Sequence, residues 1–221
     1  MANATHGSLA ADAAAYLAKS ANSVESISGS PKEIRRQAGC LVEWARARKV
    51  LLADDHAAGL ERREEETSEH EVFLRASDNR VVKCTYPGCF GYASGPNGRT
   101  RAATPLFYLH RLELMNQVFG DDLRLEGIAF GKPRFGDEDE KRPYMVISQA
   151  WIDSADGNSP HPSEKEVEDF MESLGFKRLE DSCYRWHREF DGITVSDTKV
   201  DNFIKSHKGI APIDLLISKK D

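Results

Sequence analysis

The sequence has little of what marks a secreted or membrane-spanning protein. It contains four cysteines in 221 residues, and no two of them form a C-x-x-C pair. No apolar run approaches the roughly 18 residues needed to cross a bilayer. The N-terminal stretch lacks the basic start and the apolar core of a signal peptide. We therefore expect a cytoplasmic protein with no membrane partner.

An excess of positive charge is also missing. The chain carries 30 Lys and Arg against 36 Asp and Glu, a net charge of −6 and a pI near 5.7. Nucleic-acid binding depends on cations that displace counterions from phosphates, so the composition argues against a general nucleic-acid-binding role. The hydrophobic content of 40% suits one sizeable globular domain or two small ones.

The cysteines allow two interpretations. Cys84 and Cys89 are close in sequence and could join His110 or Cys183 in a metal site. We favour the simpler interpretation that these cysteines and Cys40 are reduced thiols, some of them buried.

The first region, residues 1–66, is predicted to be helical. An Ala-rich run from Leu9 to Ala21 favours a helix by propensity. Ser30-Pro31 opens a second helix, whose apolar residues recur at helical spacing and form one buried stripe. The charged run at 61–66 is interpreted as a solvated helix end or a linker.

The second region, residues 67–152, is predicted to form an antiparallel sheet with one packed helix. A long loop rich in Gly and Pro, residues 86–105, precedes the helix at Leu106–Val118. The last strand is almost continuously apolar, which indicates burial on both faces. The predicted strands are His70–Leu74, Arg80–Thr85, Leu123–Phe130 and Tyr144–Ile152.

The third region, residues 153–221, is predicted to be a small second lobe. Ser163 and Glu166 match the capping box of a helix that ends before Gly175. Asp191-Gly192 predicts a hairpin turn. Short strands are predicted at Tyr184–Phe190, Ile193–Asp197, Asn202–Ser206 and Ile210–Ile217.

Charged residues inside apolar elements mark the first part of a candidate site. Lys83 lies within an apolar strand, where an unpaired ammonium group is costly to bury. It therefore needs a partner or a ligand, unless the strand is an exposed edge. Glu113 on the following helix is the first candidate for that partner, and Glu126 on the next strand is the alternative.

A second group of polar residues lies near the C-terminal end of the sequence. Residues Asp197–Asn202 have the pattern D-x-K-x-x-N, and Asp214 follows across a predicted hairpin. The acid at 214 lies in an otherwise apolar run and also needs a partner. Mg²⁺ prefers carboxylate and amide oxygens, with phosphate completing its coordination shell. We therefore predict that Asn202 and Asp214, on facing strands, bind magnesium.

Together these features resemble the kinase-like domains of polyvalent proteins from phages and other mobile elements, a family of serine/threonine/tyrosine kinases. The resemblance covers roughly residues 34–218. It implies an α+β, protein-kinase-like fold with an antiparallel N-lobe, a minimal C-lobe and preceding N-terminal helices. It also implies an ATP- and Mg²⁺-dependent phosphotransferase. The segments that carry it are Trp44-Ala45, Glu69–Val72, Val82-Lys83, Pro87–Gly91, Ser148-Gln149, Asp197–Asn202 and Ile213-Asp214.

The resemblance assigns one set of residues to the nucleotide. Lys83 would bind the phosphates and would be oriented by Glu113. Gln149 and Ala150 would lie at the hinge that contacts adenine. Glu69 and His70 would lie where other kinases have a glycine-rich loop.

The resemblance assigns a second set of residues to phosphate transfer. Asp197 would act as the base, with Lys199 beside the γ-phosphate. Asn202 and Asp214 would hold Mg²⁺.

Several departures from ordinary protein kinases leave other functions open. Residues 66–72 stand where a G-x-G-x-x-G loop is expected, and Leu215 replaces the Phe of D-F-G. Val195-Ser196 replaces the His-Arg pair before the catalytic Asp. Few residues follow Asp214, so we expect no activation loop.

Three alternatives follow from these departures. The first is a catalytically inactive pseudokinase or nucleotide-binding interaction module. The second is a small-molecule kinase or an AMP transferase, because a small lobe offers little platform for a protein acceptor. The third is an interaction protein that binds no nucleotide. The sequence does not identify the acceptor, whether protein or small molecule.

Overall fold

The protein is described from a computed structural model. The described residues are 7–20, 29–53, 56–63, 69–94, 100–134, 140–155, 157, 160–180 and 184–219. They form a mixed α and β protein with antiparallel sheets, as the sequence predicts. Within these ranges no helix is long and apolar enough to cross a membrane.

The described helices and strands follow one another along the whole chain. The α-helices are α1 (Gly7–Ser20), α2 (Pro31–Arg48), α3 (Pro105–Phe119) and α4 (Glu164–Ser173). The first strands are β1 (Glu61–Arg62), β2 (His70–Arg75), β3 (Arg80–Thr85), β4 (Tyr92–Ser94), β5 (Thr100–Ala102), β6 (Arg124–Gly131) and β7 (Arg142–Ala150). The later strands are β8 (Lys177–Arg178), β9 (Arg185–Arg188), β10 (Ile193–Ser196), β11 (Phe203–Ser206), β12 (Gly209–Pro212) and β13 (Leu216–Lys219).

The chain divides into two compact units. The first unit comprises residues 1–93, 101–113 and 122–151, and the second comprises 94–100, 114–121 and 152–221. The chain passes between the units several times, and it enters the second unit for the last time after Trp151, one residue beyond β7.

The first unit is built on a five-stranded sheet with the order β1-β2-β3-β7-β6. Strand β3 is central, antiparallel to β2 on one side and to β7 on the other. The core of the sheet contains Val82, Cys84, Ala129 and Val146, all buried. Strand β7 is continuously buried from Met145 to Gln149, as its apolar sequence predicts.

The helical region that the sequence predicts for residues 1–66 is shorter in the structure. Helix α2 begins at the Ser30 cap and ends at Arg48, where Lys49 takes a left-handed conformation. The chain then runs beside β6: Leu52 N donates to Ile128 O at 2.8 Å, and Ile128 N donates to Val50 O at 3.1 Å. A side chain at Gly127 would collide with Val50 O, so glycine at this β-bulge permits the close approach.

Two further differences concern short strands in the first half of the chain. The charged run at 61–66 is predicted to be a helix end or a linker, yet Glu61 and Arg62 pair with β2 as β1, and residues 64–66 lie outside the described residues. The predicted loop at 86–105 contains β4 and β5, which form a two-stranded sheet. Strands of two or three residues are too short to show an alternation of apolar and polar residues. Whether such a segment forms a strand therefore depends on the segment with which it pairs.

The second unit contains a four-stranded sheet with the order β13-β10-β9-β8 and the β11–β12 hairpin. Rings of Phe119, Phe170, Phe176 and Phe203 contact one another in its core. The capping box predicted for α4 is present, because Ser163 and Glu166 bond reciprocally. The strand predicted at Ile210–Ile217 is divided, since β12 ends at Pro212 and β13 begins at Leu216. Asp214 lies between these two strands and Asn202 ends a 3-10 helix, so the prediction that the two residues lie on facing strands is wrong.

Candidate functional site

Lys83 lies on the central strand of the five-stranded sheet and is only 9% exposed. The alternative of an exposed edge strand is therefore wrong. Its ammonium group donates a hydrogen bond of 3.1 Å to Gln149 Oε1. Lys83 pairs with Ile147, and Gln149 lies two residues beyond that partner on the same face of β7. The sheet register thus brings together two residues that the sequence assigned to the nucleotide.

Glu113 does not pair with Lys83 in this structure. The carboxyl is half-buried, and desolvation raises its pKa although nearby His110 acts in the opposite direction. No described residue forms an ion pair with Glu113. The alternative candidate, Glu126, accepts a hydrogen bond from Ser148 and pairs with Arg75 at 3.0 Å.

The helix-to-sheet ion pair is instead formed by Arg111, a residue that the sequence analysis did not single out. Its guanidinium group bonds to Glu69 Oε1, and both side chains are 5% exposed. Successive helical residues are about 100° apart, so Glu113 lies about 200° around α3 from Arg111 and faces elsewhere. The helical spacing of Leu109, Leu112 and Met115 could have identified the buried face of α3, but the partner of Arg111 lies 42 residues away.

Glu69 and His70 form part of a buried polar cluster at the start of β2. Glu69 Oε1 also accepts from Tyr92 N at 2.7 Å, and His70 Nε2 lies 2.6 Å from Tyr108 Oη. Burial is the largest single influence on the pKa of Glu69 and would raise it. The charges of Arg111 and His70, together with hydrogen bonds from Arg111 and Tyr92 N, outweigh burial and hold the pKa below its usual value. This cluster connects β2, α3 and the start of β4, which is a structural role for both residues. Their predicted contact with nucleotide phosphates stays a prediction.

Gly91 is the position where this cluster requires glycine. Its φ angle is +74°, and an added Cβ would meet the carboxylate of Glu69 and the ring of Tyr108. Any larger residue would be strained in this conformation and would displace the carboxylate.

The hinge residues lie at the end of β7. Ala150 is exposed and is the last residue of the strand, opposite Arg80. Trp151 N donates to Asn79 O at 3.0 Å and fixes the chain as it leaves the sheet. Adenine binding by Gln149 and Ala150 stays a prediction.

The Asp197–Asn202 loop follows β10 in the second unit. Asp197 has a φ of +61°, a left-handed conformation that is uncommon for residues other than glycine. Lys199 Nζ lies 2.8 Å from Asp197 Oδ1, and hydrogen bonding to this carboxylate raises the pKa of Lys199. The lysine is therefore protonated at neutral pH, and its charge lies directly beside the proposed base.

Asn202 is the last residue of the loop and lies at the end of a short 3-10 helix, Val200–Asn202. Its Nδ2 donates to Asp197 O at 2.7 Å and to Asp197 Oδ2 at 3.1 Å. No described residue donates a hydrogen bond to its side-chain oxygen. The main chain of Asn202 accepts from Ile213 N at 2.9 Å, so the residue before Asp214 is fixed beside the loop.

The cysteines show no sign of the alternative metal site in the described part of the chain. Cys84 Sγ lies 3.9 Å from His56 Nε2, and burial raises its pKa to about 12. Cys40 and Cys89 are free thiols as well. Cys183 lies outside the described residues.

Comparisons with known proteins give one match. A family model with the description "Serine/Threonine/Tyrosine Kinase found in polyvalent proteins" matches residues 35–220. Searches of curated proteins and of solved structures found no match. The matched range begins within α2 and includes every residue of the candidate site.

Proposed function

Because the chain belongs to the family of serine/threonine/tyrosine kinases found in polyvalent proteins, we propose that it transfers phosphate from ATP in a Mg²⁺-dependent reaction. The observation that carries this proposal is the double hydrogen bond from the Asn202 amide nitrogen to Asp197. It fixes the orientation of both side chains and directs the remaining oxygen of Asn202 away from the base.

The donor set fits magnesium. With its nitrogen committed to Asp197, Asn202 offers a neutral amide oxygen. Asp214 adds a carboxylate immediately after Ile213, whose backbone is bonded to Asn202. Oxygen ligands of this kind, few in number and completed by phosphate and water, are typical of protein magnesium sites. When bound, the metal neutralises charge on the transferring phosphoryl group.

Asp197 supplies the proton acceptor in the proposed reaction. As the acceptor hydroxyl oxygen forms its bond to the γ-phosphorus, Asp197 takes the hydroxyl proton, and the bond from that phosphorus to the β–γ bridging oxygen breaks. The products are a phosphorylated acceptor and ADP. Asn202 and Lys199 hold the carboxylate of Asp197 in position by hydrogen bonds. Lys199 also supplies positive charge for the phosphoryl oxygens.

Lys83 is proposed to bind the α- and β-phosphates of ATP. An ammonium group this deeply buried can form a strong interaction with an anion, and one of its hydrogen bonds goes to Gln149 Oε1. Gln149 holds the ammonium in place, and Ala150 provides the exposed backbone at the hinge.

A second candidate is a module that binds nucleotide without transferring phosphate. It is favoured by the lack of an ion pair between Lys83 and Glu113, because active protein kinases orient this lysine with a helix glutamate. Retention of Asp197, Lys199 and Asn202 in one hydrogen-bonded group favours transfer.

The two candidates differ in the fate of the γ-phosphate. Purified protein is incubated with Mg²⁺ and γ-labelled ATP, alone and with mixed protein and small-molecule acceptors. We expect label transfer that falls by about 10²–10⁴-fold in Asp197→Asn. Asp201→Asn, in an exposed neighbouring position, serves as the control. Equal label transfer by wild type and Asp197→Asn would reject the enzyme proposal, and mass spectrometry of the product separates phosphate from AMP transfer.

A further inference from the structure

A small cavity adjoins the Asp197–Asn202 loop within the second unit. Its volume is about 130 Å³. Loop residues Thr198 and Val200 form part of its wall, and α4 and β9 form much of the rest. The complete lining is Glu164, Val167, Glu168, Arg178, Tyr184, Trp186, Thr198 and Val200.

Hydrogen bonds hold the wall of the cavity to the Asp197–Asn202 loop. Trp186 Nε1 donates to Thr198 Oγ1 at 3.1 Å, and Thr198 N donates to Tyr184 O at 3.4 Å. Trp186 and Thr198 are almost fully buried. A group bound in the cavity would therefore be held at a fixed position relative to Asp197, which precedes Thr198 in the chain.

The size of the cavity distinguishes between the two classes of acceptor. Pockets that hold drug-sized molecules have volumes of about 300–1,000 Å³. A cavity of about 130 Å³ is similar to an engineered cavity of about 150 Å³ that binds benzene. It can accommodate one amino-acid side chain, but not most of a multi-ring small molecule.

The charges of the lining favour a cation. Arg178 lies over the Trp186 ring at 5.0 Å and pairs with Glu168 at 3.2 Å, so these two charges compensate each other. Glu164 has no ion-pair partner among the described residues. Its carboxylate, together with the Tyr184 ring, offers the acid and the aromatic face that bind a guanidinium or ammonium group. The Arg178–Trp186 contact shows that this lining already accommodates one guanidinium group.

We propose that this cavity binds a basic side chain, Arg or Lys, of a polypeptide acceptor, which deepens the proposed kinase function and rests on it. Thr198 and Val200 lie one and three residues after Asp197. An extended peptide advances about 3.3–3.6 Å per residue. The basic residue is therefore placed within about four positions of the hydroxyl residue that is phosphorylated.

The inference is tested with synthetic peptides that carry one central Ser, Thr or Tyr and a single Arg at each flanking position in turn. Calorimetry measures peptide binding without nucleotide, and initial rates with Mg-ATP give KM and kcat. We expect Arg at one or more positions near the hydroxyl to tighten binding and lower KM relative to the all-Ala peptide. Glu164→Lys should weaken binding of the Arg peptide by about tenfold, because it places a like charge in the site.

The matched control is Glu172→Lys, which makes the same charge change at an exposed position on α4 outside the cavity lining. Equal effects of the two variants would mean that only net charge matters and would overturn the inference. Arg and Ala peptides that bind alike would also overturn it. So would a preference for phosphorylated or acidic peptides, which would assign recognition to Arg178.

Failure of this inference can be separated from failure of the proposed function. If wild-type protein phosphorylates peptides without regard to Arg, the kinase proposal stands and the cavity assignment fails. If no label is transferred but calorimetry shows Glu164-dependent binding of Arg peptides, the cavity assignment stands and the transfer proposal fails.

Discussion

The side-chain nitrogen of Asn202 donates to both the carboxylate and the main-chain carbonyl of Asp197, at 3.1 Å and 2.7 Å. One amide thereby fixes a carboxylate whose own backbone has a positive φ. Such uncommon conformations persist where surrounding contacts hold them, and they are concentrated at functional sites. The arrangement ties the proposed base to the proposed metal ligand within a single loop.

Asn202→Ala should make phosphate transfer depend on higher Mg²⁺ concentrations. The change removes a proposed metal ligand and both hydrogen bonds to Asp197, and we expect apparent Mg²⁺ affinity or activity to fall by at least about 10–100-fold. The measurement is the rate of label transfer across a Mg²⁺ titration at saturating ATP. Asp201→Ala, one residue earlier and exposed, should titrate like wild type. Superimposable curves for Asn202→Ala and wild type would refute the metal assignment.

Lys83→Met should abolish stabilisation by nucleotide. The substitution keeps a long apolar side chain in the sheet but removes the charge proposed to bind phosphates. At ATP concentrations of 100 times Kd, wild type should gain about 2.7 kcal/mol of unfolding free energy, measured by denaturant titration with Mg-ATP. Lys177→Met, at an 80% exposed side chain, should retain this gain. Undiminished stabilisation of Lys83→Met would exclude the phosphate-binding role.

Glu69→Gln should destabilise the protein strongly at neutral pH. It removes the charge of the buried carboxylate that pairs with Arg111, and breaking a buried ion pair costs about 3–5 kcal/mol. Asp169→Asn, which breaks an exposed ion pair with Lys165, should have little effect. Chemical denaturation of the three proteins decides between a stabilising pair and a dispensable one.

The same ion pair predicts how the free energy of unfolding depends on pH. The pKa of Glu69 is lower in the folded protein than its ordinary value of 4.5. Its stabilising contribution is therefore complete above the unfolded value and is lost as pH falls through the folded pKa. Below about pH 4.5, the free energy of unfolding should therefore fall more steeply with decreasing pH for wild type than for Glu69→Gln. Parallel profiles would show that this carboxyl is not responsible.

Glu113→Gln should stabilise the protein at pH 7 but not at pH 3. Desolvation raises the pKa of Glu113 in the folded state, although His110 opposes the effect. The protonated form is thus favoured by folding, and the ionised form opposes it once the pH exceeds the folded pKa. Unfolding free energies of wild type and variant at the two pH values test the difference. A loss of stability at pH 7 would instead indicate a favourable partner for the carboxylate.

Several features of this protein were predictable because they depend on neighbouring residues. Ser30 and Ser163 start helices through contacts with residues three positions later, and the β2–β3 hairpin follows from its turn and flanking β-formers. The D-x-K-x-x-N pattern also forms its hydrogen bonds within six residues of chain. Local geometry of this kind is encoded by spacing alone.

The sequence by itself determined these caps, the main strands and the composition of the loop at Asp197. Only the tertiary structure decided that Arg111, and not Glu113, forms the ion pair between helix and sheet, and that Lys83 contacts Gln149. Those partners are 42 and 66 residues apart, and helix phase and sheet register select them. Neither quantity can be read from a short window of sequence, because each depends on how distant elements bury their apolar faces against one another.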